Sequence, residues 1–108
     1  MSSQIFKTII PNEILFNLLE NISLKSGNKY TINKDAYKKG VYDNSILQFI
    51  DQIIPYYYVS KRKYFDRKLT YNSFITIIRQ ICKCNKIQYT SEIKYNKSTY
   101  DIYYYIHI

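Results

Sequence analysis

Residues 70–95 read TYNSFITIIRQICKCNKIQYTSEIKY, and the spacing of their hydrophobic residues changes halfway along. In the first half these residues recur at intervals of three and four, which predicts an amphipathic helix over Tyr71–Asn85 with Thr70 as its N-cap. Asn85 is expected to end the helix in the left-handed conformation. The predicted buried face consists of Phe74, Ile77, Ile78, Ile81 and Cys82.

After Asn85 the hydrophobic period becomes two, which is typical of a β-strand with one buried face. Residues 87–95 alternate in this way, and Asn96-Lys97-Ser98 reads as a turn. A second alternating run follows over residues 102–108. The sequence therefore predicts a C-terminal β-hairpin.

Two further amphipathic helices are predicted upstream, over Asn12–Ile22 and Ser45–Ile54. Asp43, Asn44 or Ser45 can cap the second of them. Between the two helices, residues 30–32 read as a short strand, and Asn33 can cap a short helix that runs to Lys39 and ends at Gly40.

The stretch between the second helix and Thr70 is predicted as a strand over residues 56–59 and a short polar helix over residues 60–68. From residue 43 onward, the element order is then that of a winged helix-turn-helix. We expect a single α+β domain over residues 1–108, in which residues 43–108 form a winged-helix-like core and residues 1–42 an N-terminal helical extension.

Positive charge is concentrated in one third of the chain. The net charge is +8 over 108 residues, and residues 61–97 hold ten basic and two acidic side chains, against six and five in residues 1–60. Codons rich in A and T would enrich lysine along the whole gene. They do not account for this segregation, so the basic third indicates a local binding role.

Nucleic acid, with duplex DNA as the expected form, is the partner that this pattern favours. If the helix over Tyr71–Asn85 enters the major groove, its outer side chains face base edges, while the basic run before it and the hairpin tip face phosphates. The predicted groove contacts are Asn72, Thr76, Arg79, Gln80 and Lys83. The predicted phosphate contacts are Lys61, Arg62, Lys63, Arg67, Lys68, Lys94 and Lys97.

Other interpretations fit the same residues. Any amphipathic helix needs a polar outer face, and a basic run is often plain solvated surface. The chain has 14 tyrosines, and those of the hairpin can stack on bases of a single strand. Their candidates are Tyr89, Tyr95, Tyr103 and Tyr105. A tyrosine-rich hairpin is equally suited to docking another protein, so the alternative function is a protein-interaction adaptor or a structural protein.

No catalytic, metal or cofactor site is predicted. Gly27 and Gly40 are isolated, so there is no glycine-rich phosphate loop. Cys82 and Cys84 lie about 200° apart around a helix and cannot form a disulfide with each other. Cys82 is expected in the core, and His107, the only histidine, on the outer side of the hairpin. The absence of a signal peptide and of a long apolar run favours an intracellular protein without a membrane span.

Three segments carry a resemblance to a group of known proteins. They are residues 60–65 (SKRKYF), residues 69–82 (LTYNSFITIIRQIC) and residues 93–102 (IKYNKSTYDI). Together with the A/T-skewed composition, they resemble small uncharacterised proteins of giant nucleocytoplasmic large DNA viruses. The resemblance implies the host cytoplasm, a viral factory or the virion as location, and other viral proteins as further partners.

Overall fold

The computed structural model of the protein describes residues 9–56 and 70–107. Within these residues the chain forms four α-helices and four β-strands, so the α+β class is confirmed. The helices are α1 (Asn12–Ile22), α2 (Lys34–Tyr42), α3 (Ser45–Ile53) and α4 (Tyr71–Cys84). The strands are β1 (Leu24–Ser26), β2 (Lys29–Ile32), β3 (Gln88–Asn96) and β4 (Thr99–His107).

The four strands form one antiparallel sheet in the order β1-β2-β4-β3. The predicted hairpin is confirmed: β3 and β4 pair in an unbroken register from Gln88↔His107 to Asn96↔Thr99, which leaves Lys97 and Ser98 as the loop. On its other side β4 pairs with β2, with Tyr30 opposite Ile106. Residues from the first third of the chain therefore belong to the same sheet as the hairpin.

The described helices pack on one face of this sheet. Tyr30, Ile32 and Ile106 are buried, whereas Lys29 and Thr31 alternate with them on the other face. Phe74 of α4 lies in the middle of the core and is fully buried. Its ring centroid is 5.5 Å from that of Tyr37 and 6.5 Å from that of Phe49.

The end of α4 differs by one residue from the sequence-based expectation. Asn85 has φ −96°, so it does not adopt the left-handed conformation, whereas the next residue, Lys86, has φ 58°. The Lys86 amide donates to the Lys83 carbonyl at 3.4 Å, and the Ile87 amide donates to the Cys82 carbonyl at 2.8 Å. These are the two bonds of a Schellman motif, in which the left-handed residue follows the helix cap.

Asn85 instead ties the end of α4 to the start of α1. Its side-chain amide donates to the Ile10 carbonyl and to Asn12 Oδ1, both at 2.6 Å. This contact spans more than seventy residues of sequence, and its geometry accounts for an asparagine at the helix cap. The predicted cap at the other end is confirmed, since Thr70 Oγ1 accepts from the Ser73 amide at 3.1 Å.

Gly40 does not end a helix, contrary to the prediction. It is buried within α2, which continues to Tyr42, while Asn33 caps the start of α2 as predicted by accepting from the Ala36 amide. A Cβ at position 40 would lie 2.6 Å from Ile46 Cγ1 and 3.0 Å from Ile22 Cγ2. The glycine therefore allows α2 to approach α1 and α3 closely.

The start of α3 is held by Asp43, whose Oδ1 accepts from the Ser45 amide at 2.9 Å. Hydrogen bonds from Ser45 lower the pKa of this carboxyl group. At the other end, Tyr56 belongs to a 3-10 turn over Ile54–Tyr56 and not to the predicted strand. The rest of that strand and the predicted polar helix lie outside the described residues. None of the helices within residues 9–56 and 70–107 is long and apolar enough to cross a membrane.

Candidate nucleic-acid interface

The core side of α4 fixes the orientation of this helix. The five residues predicted for its buried face are all buried, and Ile75, which the prediction omitted, is only 4% exposed. Burying six apolar side chains stabilises such a packing by roughly 1.5–3 kcal/mol each relative to exposure. The opposite side of α4 is therefore held as a rigid surface.

That opposite side carries the predicted polar stripe. Asn72, Thr76, Arg79 and Lys83 are all exposed, and Gln80 beside them is partly buried. From Asn72 to Lys83 the stripe extends about 16 Å along the helix axis. No acidic residue occurs between positions 70 and 91, where Arg79, Lys83 and Lys86 supply three positive charges.

Arg79 is positioned by an aromatic ring of the neighbouring strand. Its Cζ lies 5.7 Å from the centroid of the Tyr89 ring in β3, within the range of a cation–π contact. Burial raises the pKa of Tyr89 to about 12, and the nearby guanidinium partly offsets this rise. The tyrosine stays neutral at physiological pH and presents a π face to the arginine.

Thr76 has its hydroxyl hydrogen already engaged. Its Oγ1 donates to the backbone carbonyl of Asn72 at 2.9 Å. The side chain can therefore offer a ligand an acceptor lone pair and a methyl group. The threonine methyl group can contact the methyl group of thymine, which is a known apolar contact in the major groove.

Of the two hairpin lysines, Lys94 lies apart from the α4 stripe. Lys97 is in the hairpin loop with φ 56°. Lys94 lies opposite Asp101 in the β3–β4 strand register, and its Nζ lies 4.5 Å from the centroid of the Tyr103 ring. Register places Lys94 on the sheet face opposite the one that α4 covers, so the described residues do not join Lys94 and the stripe into one surface.

The basic run predicted to contact phosphates lies outside the described residues. It consists of Lys61, Arg62, Lys63, Arg67 and Lys68. Their phosphate role stays a prediction.

The four tyrosines considered for base stacking occupy two faces of the hairpin. Tyr89 and Tyr95 share the face that bears Ile106, while Tyr103 and Tyr105 lie on the outer face. The outer pair is already engaged: Lys94 lies over the Tyr103 ring, and Lys29 Nζ lies 4.4 Å from the Tyr105 centroid. The four rings therefore do not form one stacking platform.

Sequence reasoning missed the exposed apolar end of the hairpin. Tyr95 is 78% exposed, Tyr100 63% and Ile93 51%. The period-two pattern grouped Ile93 and Tyr95 with the inward-facing residues of the first strand, and the second predicted run began only after Tyr100. The relevant signal was length. A nine-residue strand measures about 30 Å and the 14-residue α4 about 21 Å, so the end of the hairpin extends past the helix.

The remaining reactive side chains have structural surroundings. Cys82 is buried and Cys84 partly buried, and no disulfide joins them. His107 Nε2 lies 3.0 Å from Thr90 Oγ1 on the outer face of the sheet, where the prediction placed it. Across residues 9–56 and 70–107, no three His, Cys, Asp or Glu side chains are grouped to hold a metal ion.

Comparisons with protein-family models, with curated proteins and with solved structures find no match to this chain.

Proposed function

We propose that this protein is a non-enzymatic, winged-helix-like nucleic-acid-binding protein that inserts the outer stripe of α4 into the major groove of duplex DNA. The observation that carries the proposal is the exposed, acid-free polar stripe on a helix whose other side is fully packed. A rigid helix with this surface fits the width of the major groove.

The side chains of the stripe suit base recognition. Asn72 can form two hydrogen bonds with adenine, and Arg79 can form two with guanine. The cation–π contact of Arg79 with Tyr89 limits the freedom of the arginine side chain before binding, which lowers the entropic cost of ordering it. Lys83, predicted from the sequence as a groove contact, lies one turn beyond Arg79 in the last turn of α4, so its long side chain can also reach a phosphate that borders the groove.

The sheet supports the winged-helix comparison. The hairpin follows α4 after a three-residue connection, as a wing follows a recognition helix. β2, which precedes α2, α3 and α4 in the chain, pairs with the second hairpin strand and anchors the hairpin base. Lys97 at the loop can then contact phosphate beside the groove, as can the basic run before α4.

A fluorescence-anisotropy titration on a labelled 20-base-pair duplex tests the proposal. If six of the predicted basic side chains neutralise phosphates, the logarithm of the binding constant should fall with the logarithm of salt concentration with a slope of about −5. Absence of binding at 50 mM salt, or binding that does not depend on salt, would refute it.

A charge-matched pair of variants locates the surface. Lys83→Glu should weaken binding and reduce the magnitude of the salt slope by about one, since one phosphate contact is lost. Lys38→Glu changes net charge equally on an exposed position of α2 and should leave the slope unchanged. Equal losses in both variants would show that only net charge matters, and α4 would no longer be the binding helix.

Protein docking through the hairpin is a second candidate, and the exposed Ile93, Tyr95 and Tyr100 favour it. Together with the resemblance to giant-virus proteins, this candidate assigns the chain an adaptor or minor structural role in a virion. It predicts association that survives high salt and is lost in Tyr95→Asp. In contrast, DNA binding through α4 should persist in that variant.

A further inference from the structure

Within residues 9–56 and 70–107, the outer edge of β3 is an open strand edge nine residues long. β3 has nine residues, pairs with β4 along its whole length without a bulge, and is the last strand of the sheet. Among the described residues no strand pairs with its other side. Proteins usually protect such edges with short strands, bulges or proline, because an open edge is a template for pairing with another chain.

The hairpin register fixes which backbone groups point outward. Asn96 and Thr99 close a two-residue loop, so the even-numbered residues of β3 exchange hydrogen bonds with β4. The odd-numbered residues direct their N–H and C=O groups away from β4. In the part of β3 nearest the hairpin loop, these residues are Ser91, Ile93 and Tyr95.

Apolar and charged side chains alternate along this edge. Ile93 and Tyr95 lie on one face and are 51% and 78% exposed. Glu92 and Lys94, which have opposite charge, lie on the other face. Both are anchored there: Glu92 Oε1 accepts from the Tyr105 hydroxyl at 2.6 Å, and Lys94 lies over the Tyr103 ring.

We propose that two copies of this chain pair antiparallel through their β3 edges about a two-fold axis at Ile93. The occupant is a second copy because the edge is self-complementary in this register. Glu92 of each copy then faces Lys94 of the other, and the two Ile93 side chains meet on the opposite face. This inference goes beyond nucleic-acid binding and does not depend on it.

Neighbouring registers lack this complementarity. Only odd-numbered residues point outward, so each must pair with an odd-numbered residue of the other copy. Sliding one strand by two residues therefore gives the next allowed register, and it moves the two-fold axis by one residue. An axis at Glu92 places the two Glu92 carboxylates opposite each other, and an axis at Lys94 does the same with the two ammonium groups. Like charges directly opposite destabilise strand pairing, so charge selects the Ile93 register.

The Ile93 register also satisfies the open backbone groups. Ile93 pairs with its own counterpart, and Ser91 of each copy pairs with Tyr95 of the other. These three outward pairs form about six N–H···O bonds. The two sheets become one continuous sheet of eight strands, and the apolar ends of the two hairpins come together on one face.

Cysteine cross-linking reads the register directly. In a Cys84→Ser background, Ile93→Cys should form an intermolecular disulfide under mild oxidation, because opposed Cα atoms in a hydrogen-bonded pair lie about 5.5 Å apart. Cys82 does not interfere, since burial raises the pKa of its thiol to about 12 and leaves it 1% exposed.

Two further cysteine variants are the matched controls. Ser91→Cys and Tyr95→Cys should each cross-link poorly alone, since identical residues are then about 13 Å apart, but an equimolar mixture should give a heterodimer. Cross-linking of Ile93→Cys that is no faster than that of Ser91→Cys, or sedimentation showing only monomer up to 100 μM for the unmodified chain, overturns the proposal.

Charge reversal tests the same register without cysteine. Glu92→Lys alone and Lys94→Glu alone should each raise the dimer dissociation constant by about tenfold or more, because like charges become opposed. Mixing the two variants restores both opposite-charge pairs and should give a heterodimer. Failure of the mixture to associate, with both variants folded by circular dichroism, also overturns the proposal.

Discussion

Replacement of Gly40 by alanine tests why a glycine lies inside α2. Alanine favours a helix interior by about 1 kcal/mol over glycine. The added Cβ would lie 2.6 Å from Ile46 Cγ1 and 2.7 Å from Ile46 Cδ1, so α2 and α3 must separate or Ile46 must change rotamer. Overpacking of this kind costs about 1–3 kcal/mol, so Gly40→Ala should lower the free energy of unfolding by about 1 kcal/mol net.

When the Ile46 side chain is truncated, Gly40→Ala should raise the free energy of unfolding instead of lowering it. Ile46→Ala alone should cost about 2–5 kcal/mol. In that background the two closest contacts of the added Cβ are gone, and Ile22 Cγ2 at 3.0 Å has room to shift toward the vacated space, so Gly40→Ala should gain the helix preference of about 1 kcal/mol. The coupling energy between positions 40 and 46 is then about 2 kcal/mol.

Urea unfolding followed by far-ultraviolet circular dichroism measures this cycle. Lys38→Gly and Lys38→Ala, at an exposed position of the same helix, supply the helix preference without a packing contribution. If Gly40→Ala stabilises the protein by the same amount as the exposed pair, or if its effect does not depend on Ile46, close packing is not the reason for the glycine.

Two further predictions concern side-chain hydrogen bonds. The hydrogen bond from the Tyr30 hydroxyl to Glu20 Oε1, together with burial, raises the pKa of Tyr30 to about 12. The unfolded chain releases this proton near pH 10. The contribution of this group to the free energy of unfolding should therefore be complete below pH 10 and should decrease as the pH rises to 12. Between pH 10 and 12, the melting temperature of Tyr30→Phe should decrease less than that of the parent protein. Asn85→Asp replaces the donor that faces the Ile10 carbonyl and Asn12 Oδ1 with an acceptor, and should cost about 2–4 kcal/mol in urea unfolding. Asn85→Ala should cost less because it adds no repulsion, and an equal or larger cost in Asn85→Ala would contradict this assignment.

Hydrophobic period predicted the helices and the hairpin well. The bounds of α1 and the start and buried face of α4 agree with the sequence pattern, because each helix has one apolar stripe and a cap or proline at its start. The outer stripe of α4 could be predicted from the buried side, because the residues on the opposite side of the helix must face solvent. These are Asn72, Thr76, Arg79 and Lys83.

Long-range contacts explain what the sequence pattern did not reveal. Nothing local indicates that β2 pairs with β4, or that Gly40 meets Ile46 on a neighbouring helix. Asn85 was assigned the left-handed conformation on residue preference, but its side chain is used by Ile10 and Asn12 and the chain turns at Lys86. Lys94 was predicted to contact phosphate from the hairpin tip, on the same surface as α4, although strand parity places it on the other face of the sheet.

The position of β4 in the sheet has a consequence for biosynthesis. β4 lies between β2 and β3, and its residues 99–107 follow all the other strands and helices in the sequence. A ribosome therefore synthesises the inner strand β4 after both of its neighbours, and about seventy residues separate β2 from this partner in the chain. Until then the aromatic and isoleucine side chains of the core face an incomplete sheet, so chaperone capture of nascent chains should decline when β4 emerges.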